Sequence, residues 1–256
     1  MTTEVHLREL RRDPDGVASL ADRDDVRVLR RGGVPLLLVR EDRAEQAADG
    51  ALAAARALRA ALRRLGGAAP EALSGEFPWA DHLPADDRRR FAEDFGRAVQ
   101  TSAEMARWDV LSRALAEWRA TATAHSDAGL AAALTGPVED TGPVPPPPGC
   151  AKAPGGWELR FGTSEAVTGW EELQRAGAAW PARAWAALRR HPARPRDPAR
   201  QHRLRGLLAE REIDGRRLPQ WQYEVAGGGR VWYCPDGERR VVRLVAVAPV
   251  RAARRG

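Results

Sequence analysis

The sequence predicts an α+β fold built in more than one unit, and three observations carry that reading. Apolar residues recur at helical spacing through much of the first half. Short alternating runs punctuated by glycine turns fill the C-terminal stretch. A Pro/Gly-rich segment with no apolar periodicity, from Gly136 to Gly156, lies between them and reads as a partly extended linker. The charge changes sign across it: residues 1–150 hold 20 basic and 24 acidic side chains, a net of −4, and residues 151–256 hold 21 and 11, a net of +10. Two such parts attract each other, or the acidic one competes with nucleic acid for the basic one.

The chain's 256 residues suffice for two domains of roughly 100 to 150 residues. No stretch approaches the apolar length of a membrane span, and the N-terminus lacks the order of a signal peptide, so the expected compartment is the cytoplasm. Cys150 and Cys234 form no metal-ligand spacing and no disulfide framework; no metal and no cofactor is expected. Lys152 is the one lysine among 41 basic residues, a bias that reads as the imprint of a GC-rich genome. Arginine richness by itself therefore says little about nucleic acid. The charge asymmetry says more, because codon bias acts on both halves alike.

Element by element, Leu7, Leu10, Val17 and Leu20 share a helical face interrupted at Asp13-Pro14-Asp15-Gly16. Val26 and Val28 then alternate with Arg27, Arg30-Arg31-Gly32-Gly33 supplies a turn, and Pro35 to Val39 is apolar: a hairpin. From Glu41 a helix runs to Leu65 on a stripe of Leu52, Leu58, Leu62 and Leu65, closed by Gly66-Gly67. These residues, 1–67, form a first domain.

Residues 68–136 form a second, helical unit. Phe77-Pro78-Trp79 and Leu83-Pro84 read as extended, and Asp86 or Asp87 as the cap of a helix carrying Phe91, Phe95 and Val99. A helix after Asp109 presents Leu111, Leu115 and Trp118, and Ser126 or Asp127 starts a short last one.

After the linker, residues 137–156, the domain 157–256 opens with a strand from Trp157 to Phe161. A helix with Val167, Trp170 and Leu173 follows, then one from Pro181 with Trp185 and Leu188, and an irregular basic loop from Pro192 to Pro198. The remainder reads as four strands, Leu204 to Ile213, Leu218 to Val225, Arg230 to Cys234 and Val241 to Val247, with turns at Asp214-Gly215, Gly227-Gly228-Gly229 and Asp236-Gly237. Tyr223 and Tyr233 read as sheet residues with their rings in the core.

The opening Val5-His6-Leu7-Arg8-Glu9-Leu10-Arg11 and the hairpin Arg31-Gly32-Gly33-Val34-Pro35 running into Glu41-Asp42 resemble the Phd/YefM antitoxins over residues 3–65. That resemblance implies a homodimer through the N-terminal domain, operator DNA as a partner, and Arg8, Arg11, Arg12 and Arg31 as phosphate contacts. Phe77-Pro78-Trp79 and Glu117-Trp118-Arg119-Ala120-Thr121-Ala122 resemble the C-terminal extension of such antitoxins, the part that covers a toxin.

His202-Arg203-Leu204-Arg205-Gly206, Trp221-Gln222-Tyr223-Glu224-Val225 and Arg230-Val231-Trp232-Tyr233 resemble, in that order, the RelE/YoeB/ParE toxin superfamily over residues 157–250. The resemblance implies two helices on an antiparallel sheet, and an intramolecular contact between antitoxin and toxin parts. It further implies metal-independent cleavage of messenger RNA on the ribosome. There a 2′-hydroxyl attacks its neighbouring phosphate, which needs a base, a cation for the phosphorane and an acid. By that resemblance Arg230 matches the phosphate-stabilising position, Arg205 matches a basic position of RelE-like members, His202 stands near where a carboxylate base is found, and Arg203 and Arg251 are the RNA contacts. Two departures keep other readings open. Gln222 and Glu224 replace a basic pair, and the tail after Val247 has no histidine or tyrosine. The alternatives are a non-enzymatic autorepressor with a degenerate toxin domain, and a ParE-like gyrase inhibitor.

Overall fold

The computed structural model describes residues 3–148, 150, 156–175, 179–193, 199–225 and 228–248. It is a mixed α+β structure, as the sequence predicts. Among the described residues no helix is long and apolar enough to cross a membrane.

The N-terminal part begins with a strand, β1 (Thr3–His6), ahead of the helical face read from Leu7. It continues directly into the short helix α1 (Leu7–Arg12). The Asp13 carboxylate accepts from the Gly16 amide at 2.9 Å and restarts the chain as α2 (Pro14–Arg23), so the interruption read from sequence is a helix cap. Strand β2 (Val26–Leu29) pairs in parallel with β1 and antiparallel with β3 (Leu36–Leu38), the expected hairpin. Val5, Val17, Ala21, Val26 and Val28 close a small core beneath it. Helix α3 (Glu41–Leu65) ends at Gly66, whose φ of +50° is a left-handed stop.

The helical unit comprises α4 (Ala69–Glu76), a 3₁₀ turn at Pro78–His82 in place of the expected extended segment, α5 (Ala85–Glu104), α6 (Asp109–His125) and α7 (Ala128–Thr135). Phe77, Trp79, Phe91, Phe95 and Trp118 build its core, neighbouring ring centroids lying 5.0 to 6.1 Å apart. The Trp118 indole nitrogen donates to Asp94 at 3.1 Å. Asp127 caps α7, as read from the sequence.

Of the segment expected to be a tether, residues 136–144 are docked on the neighbouring unit. Arg211 donates to the carbonyls of Gly136 and Pro137, and the amides of Glu139, Thr141 and Val144 donate to Gly162, Phe161 and Leu159. Strand β4 (Gly142–Pro143) thus lines one edge of a six-stranded sheet, and Val144 is buried in its core.

The sheet runs in the order β4, β5 (Glu158–Phe161), β11 (Val241–Ala248), β10 (Arg230–Asp236), β9 (Trp221–Glu224) and β6 (Gln201–Arg203), with β5 parallel to β11 and the other pairs antiparallel. Strands β7 (Glu210–Ile213) and β8 (Arg216–Pro219) make a separate hairpin. Helices α8 (Ser164–Arg175) and α9 (Ala179–Arg190) cover one face, over Leu159, Val231, Tyr233, Val242 and Leu244. Trp232, Cys234, Val245 and Ala246 point the other way, into a core shared with Ala120 and Ala124 of α6 and Leu134 of α7. A bulge opposite Trp232 and Tyr233 leaves Val245 without a ladder partner. It shifts the alternation by one residue, sending Ala246 to the α6 face and Val247 to the α8 face.

The long strand predicted over Leu204 to Ile213 is corrected. The chain leaves β6 at Leu204, turns through a left-handed Gly206 (φ +59°) into a 3₁₀ turn, and re-enters a strand only at Glu210. Leu218 to Val225 is likewise broken at Gln220, whose side-chain amide donates to the Leu208 carbonyl. Both expected tyrosines are buried, and the Tyr233 hydroxyl donates to Pro192 while accepting from Gln201. Most of the loop Pro192 to Pro198, and Gly227 of the glycine turn, lie outside the described residues.

Burial pushes the Cys234 thiol up to about 12, holding it protonated at neutral pH. In the native protein at pH 8 an alkylating reagent should modify the partly exposed Cys150 and spare Cys234, and both should react in denaturant. Equal labelling of the two in the native state would contradict that packing. An unfolded thiol ionises near pH 8.5, so the unfolded chain sheds this proton first and stability falls as pH climbs from there toward 12.

Candidate functional site

Two neighbouring places on the sheet gather the residues singled out in the sequence. The first is the turn Arg205-Gly206-Leu207, held by the helical unit. Thr121 of α6 has its hydroxyl donating to the Glu117 carbonyl, and its oxygen accepts from the Arg205 amide at 2.8 Å. The Glu117 carboxylate forms an ion pair with the Arg205 guanidinium, Nε to Oε2 being 2.8 Å. Helical spacing brings Glu117 and Thr121, one turn apart, onto the same face.

Asp87 completes the grip. Both its oxygens accept from the Leu207 amide, at 3.1 and 3.0 Å, and its side chain is fully buried. His125 Nε2 stands 3.6 Å from one oxygen and Arg90 3.3 Å from the other. The sequence reading of Asp87 as a cap for its own helix is therefore corrected: its partner is an amide 120 residues further along the chain. Only a glycine suits position 206, since a Cβ there would sit 2.2 Å from the Asp87 carboxylate.

The second place is a cleft of about 850 Å³ between α6 and the sheet. His202 pairs across the ladder with Gln222, Gln222 with Trp232, and Glu224 with Arg230. Period two therefore puts His202, Gln222, Glu224 and Arg230 on one face, the face α6 covers. His202, Glu224 and Arg230 line the cleft from the sheet, and Arg113, Arg119 and Thr123 line it from α6. His202 is a buried strand residue, 6% exposed. Arg230 Nε is enclosed without a hydrogen-bond partner, and the Glu224 carboxylate accepts from Gln222 at 3.3 Å.

His202 and Arg230 are thus brought into one cleft, whereas Arg205 is turned to Glu117. Arg203 lies beside Glu210 at 3.4 Å, and Arg251 falls outside the described residues. Far along the chain, Arg8, Arg11 and Arg12 stand exposed on α1, and Arg31 is exposed in the hairpin turn. The parallel pairing of His6 with Leu29 brings the start of α1 and that turn to the same end of the small sheet. Among the described residues no cluster of three or more histidine, cysteine or acidic side chains is arranged to hold a metal.

Asp87 and His125 were not singled out from the sequence as functional, whereas Arg119 lies in the stretch Glu117 to Ala122. The signal for Glu117 and Thr121 was present, because both belong to the stretch read as covering a toxin. Opposite charge also meets beyond these places: Asp140 lies 2.7 Å from Arg160 and 2.6 Å from Arg243, and the Arg160 guanidinium first, then Arg243, hold its carboxyl well below the usual range. No protein-family model, no curated protein and no solved structure matches the chain.

Proposed function

We propose that this chain is a single-chain toxin–antitoxin protein, in which residues 68–136 restrain a RelE-like endoribonuclease unit and residues 1–67 bind operator DNA. The observation that carries the reading is the hold on the Arg205 turn: Glu117 neutralises the guanidinium, and Asp87 and Thr121 take the amides beside it. An oxyanion bound there would compete for those same donors, so one set of acidic contacts silences the turn. Helix α6 also overlies the cleft of His202 and Arg230. The exposed arginines of α1 suit phosphate contact. On the edge strand β3 Leu36 and Leu37 are 48% and 60% exposed, and Val34 just before it is 77% exposed, an apolar patch that suits a homodimer through this domain.

The test uses the whole chain. Unaltered protein should leave cell growth unaffected, whereas Glu117→Arg should repel Arg205, arrest growth and yield cleaved ribosome-bound messenger. Adding Arg230→Ala should restore growth by at least tenfold in colony count. A folded Glu117→Arg protein that remains harmless while the chain still binds DNA upstream of its own gene supports the second reading, a non-enzymatic autorepressor. Glu224 directly across the ladder from Arg230, where a cleaving enzyme would use a further cation, favours that reading. Arrest accompanied by loss of supercoiling with messenger intact would instead indicate gyrase as the target.

A further inference from the structure

The cleft between α6 and the sheet has a composition that neither unit's role in restraint requires. An inhibitor facing a basic target presents carboxylates, as Asp87 and Glu117 do at the Arg205 turn. In the cleft α6 presents cations instead. Arg113 is compensated by Asp109, which Arg107 also holds. Arg119 of α6 and Arg230 of β10 are not: among the described residues neither takes part in an ion pair, and Arg230 Nε is enclosed without an acceptor. Two uncompensated guanidiniums lining one partly enclosed space repel each other, and an enclosed donor without a partner costs free energy. An oxyanion shared by both removes the two penalties together.

The rest of the lining says what the oxyanion is attached to. Trp79 and Phe77 reach the cleft from the helical unit, both only partly buried, offering an aromatic surface of the kind on which a base stacks. Glu224 takes the Gln222 amide and lies across the ladder from Arg230, among the described residues without an ion pair to it; a carboxylate so placed is an acceptor for ribose hydroxyls. The volume of about 850 Å³ is that of a small-molecule site. We propose that this cleft binds a free nucleotide, its base against Trp79 and its phosphates bridging Arg119 and Arg230. The ligand would then tie the helical unit to the sheet. This inference does not depend on the toxin–antitoxin reading, since it asks only for a cleft with one cation on each wall.

The test is equilibrium binding of ATP and GTP to the intact chain by calorimetry, with the thermal midpoint followed alongside. Micromolar to sub-millimolar binding should raise the midpoint by about 2–6 °C at saturation. Arg119→Ala, on an exposed position that leaves packing untouched, should weaken binding by about tenfold or more, and Arg230→Gln likewise, with unchanged far-ultraviolet circular dichroism. Trp79→Leu should bring the affinity for ATP down to that for inorganic pyrophosphate. The proposal is overturned by absence of binding at millimolar nucleotide, or by affinity indifferent to Arg119→Ala. It is equally overturned if pyrophosphate binds the unaltered chain as tightly as ATP, or if a short oligoribonucleotide binds tighter than any mononucleotide. The last outcome would mark the cleft as part of an RNA path.

Discussion

Asp87→Ala is expected to destabilise the protein by about 2–4 kcal/mol, and most of the effect should appear as loosened contact between the helical unit and the Arg205 turn. The carboxylate is fully buried, both oxygens accept from the Leu207 amide, and His125 Nε2, itself enclosed without a hydrogen-bond partner, is 3.6 Å away. Removing it leaves that amide without its acceptor and takes the carboxylate away from that imidazole. The opposing term is relief from burying a charge, which keeps the expected cost below the sum of the lost bonds. Gly206→Ala provides a second handle on the same contact. A Cβ there would be 2.2 Å from the Asp87 carboxylate, and the φ of +59° adds about 1–2 kcal/mol of strain for any L side chain. The two substitutions should therefore couple. In an Asp87→Ala background the collision vanishes and only the strain remains, so the double variant should lose less than the sum of the singles. Urea denaturation of the four proteins measures this, and strict additivity would mean the two residues do not meet.

The second large effect is at Gly169, where α8 crosses β11. An added Cβ would lie 2.0 Å from the Val247 carbonyl oxygen and 2.9 Å from its carbon, backbone on both sides, so no rotamer change relieves it. The helix start is also pinned: the Thr163 hydroxyl donates to the Val245 carbonyl at 2.9 Å and accepts from the Ala166 amide at 3.0 Å. Gly169→Ala must lift α8 away from the sheet and uncover Trp170 and Leu173, both fully buried. We expect a loss of about 3–5 kcal/mol, against which the gain of about 1 kcal/mol in helix propensity is small. A thermal midpoint within two or three degrees of the unaltered protein would show that α8 does not sit as closely as described.

Much of this fold was legible because its elements are periodic. The extent of α3, the hairpin about Gly32-Gly33 and the alternation of Val231, Trp232, Tyr233 and Cys234 each carry their own period, which needs no knowledge of distant partners, although of the stripe read on α3 only Leu52 and Leu62 pack inward and Leu58 and Leu65 stand exposed. What could not be read depends on long-range contact. Leu204 to Ile213 continues to look like one strand because nothing local marks Gly206 as the residue facing Asp87. The segment after Gly136 looks like a tether because its docking is through backbone amides, which a sequence does not distinguish. Within the candidate site, Arg230 and His202 were found by pattern, and register then united them on one face. Asp87 was misread by proximity: two aspartates ahead of a helix have an obvious local use, and one of them is employed elsewhere.

The shared core beneath the sheet also has a consequence in time. Ala120, Ala124 and Leu134 precede their partners Trp232, Val245 and Ala246 by the length of the whole C-terminal unit. At roughly 5–20 residues per second, synthesis of the intervening chain takes on the order of ten seconds. During that interval α5, α6 and α7 can already have folded around Phe91, Phe95 and Trp118, whereas β5 waits for β11, its parallel neighbour, to emerge last. The sheet thus completes itself against a surface that is already waiting. In every molecule the acidic groups that hold the Arg205 turn are made before the turn they hold.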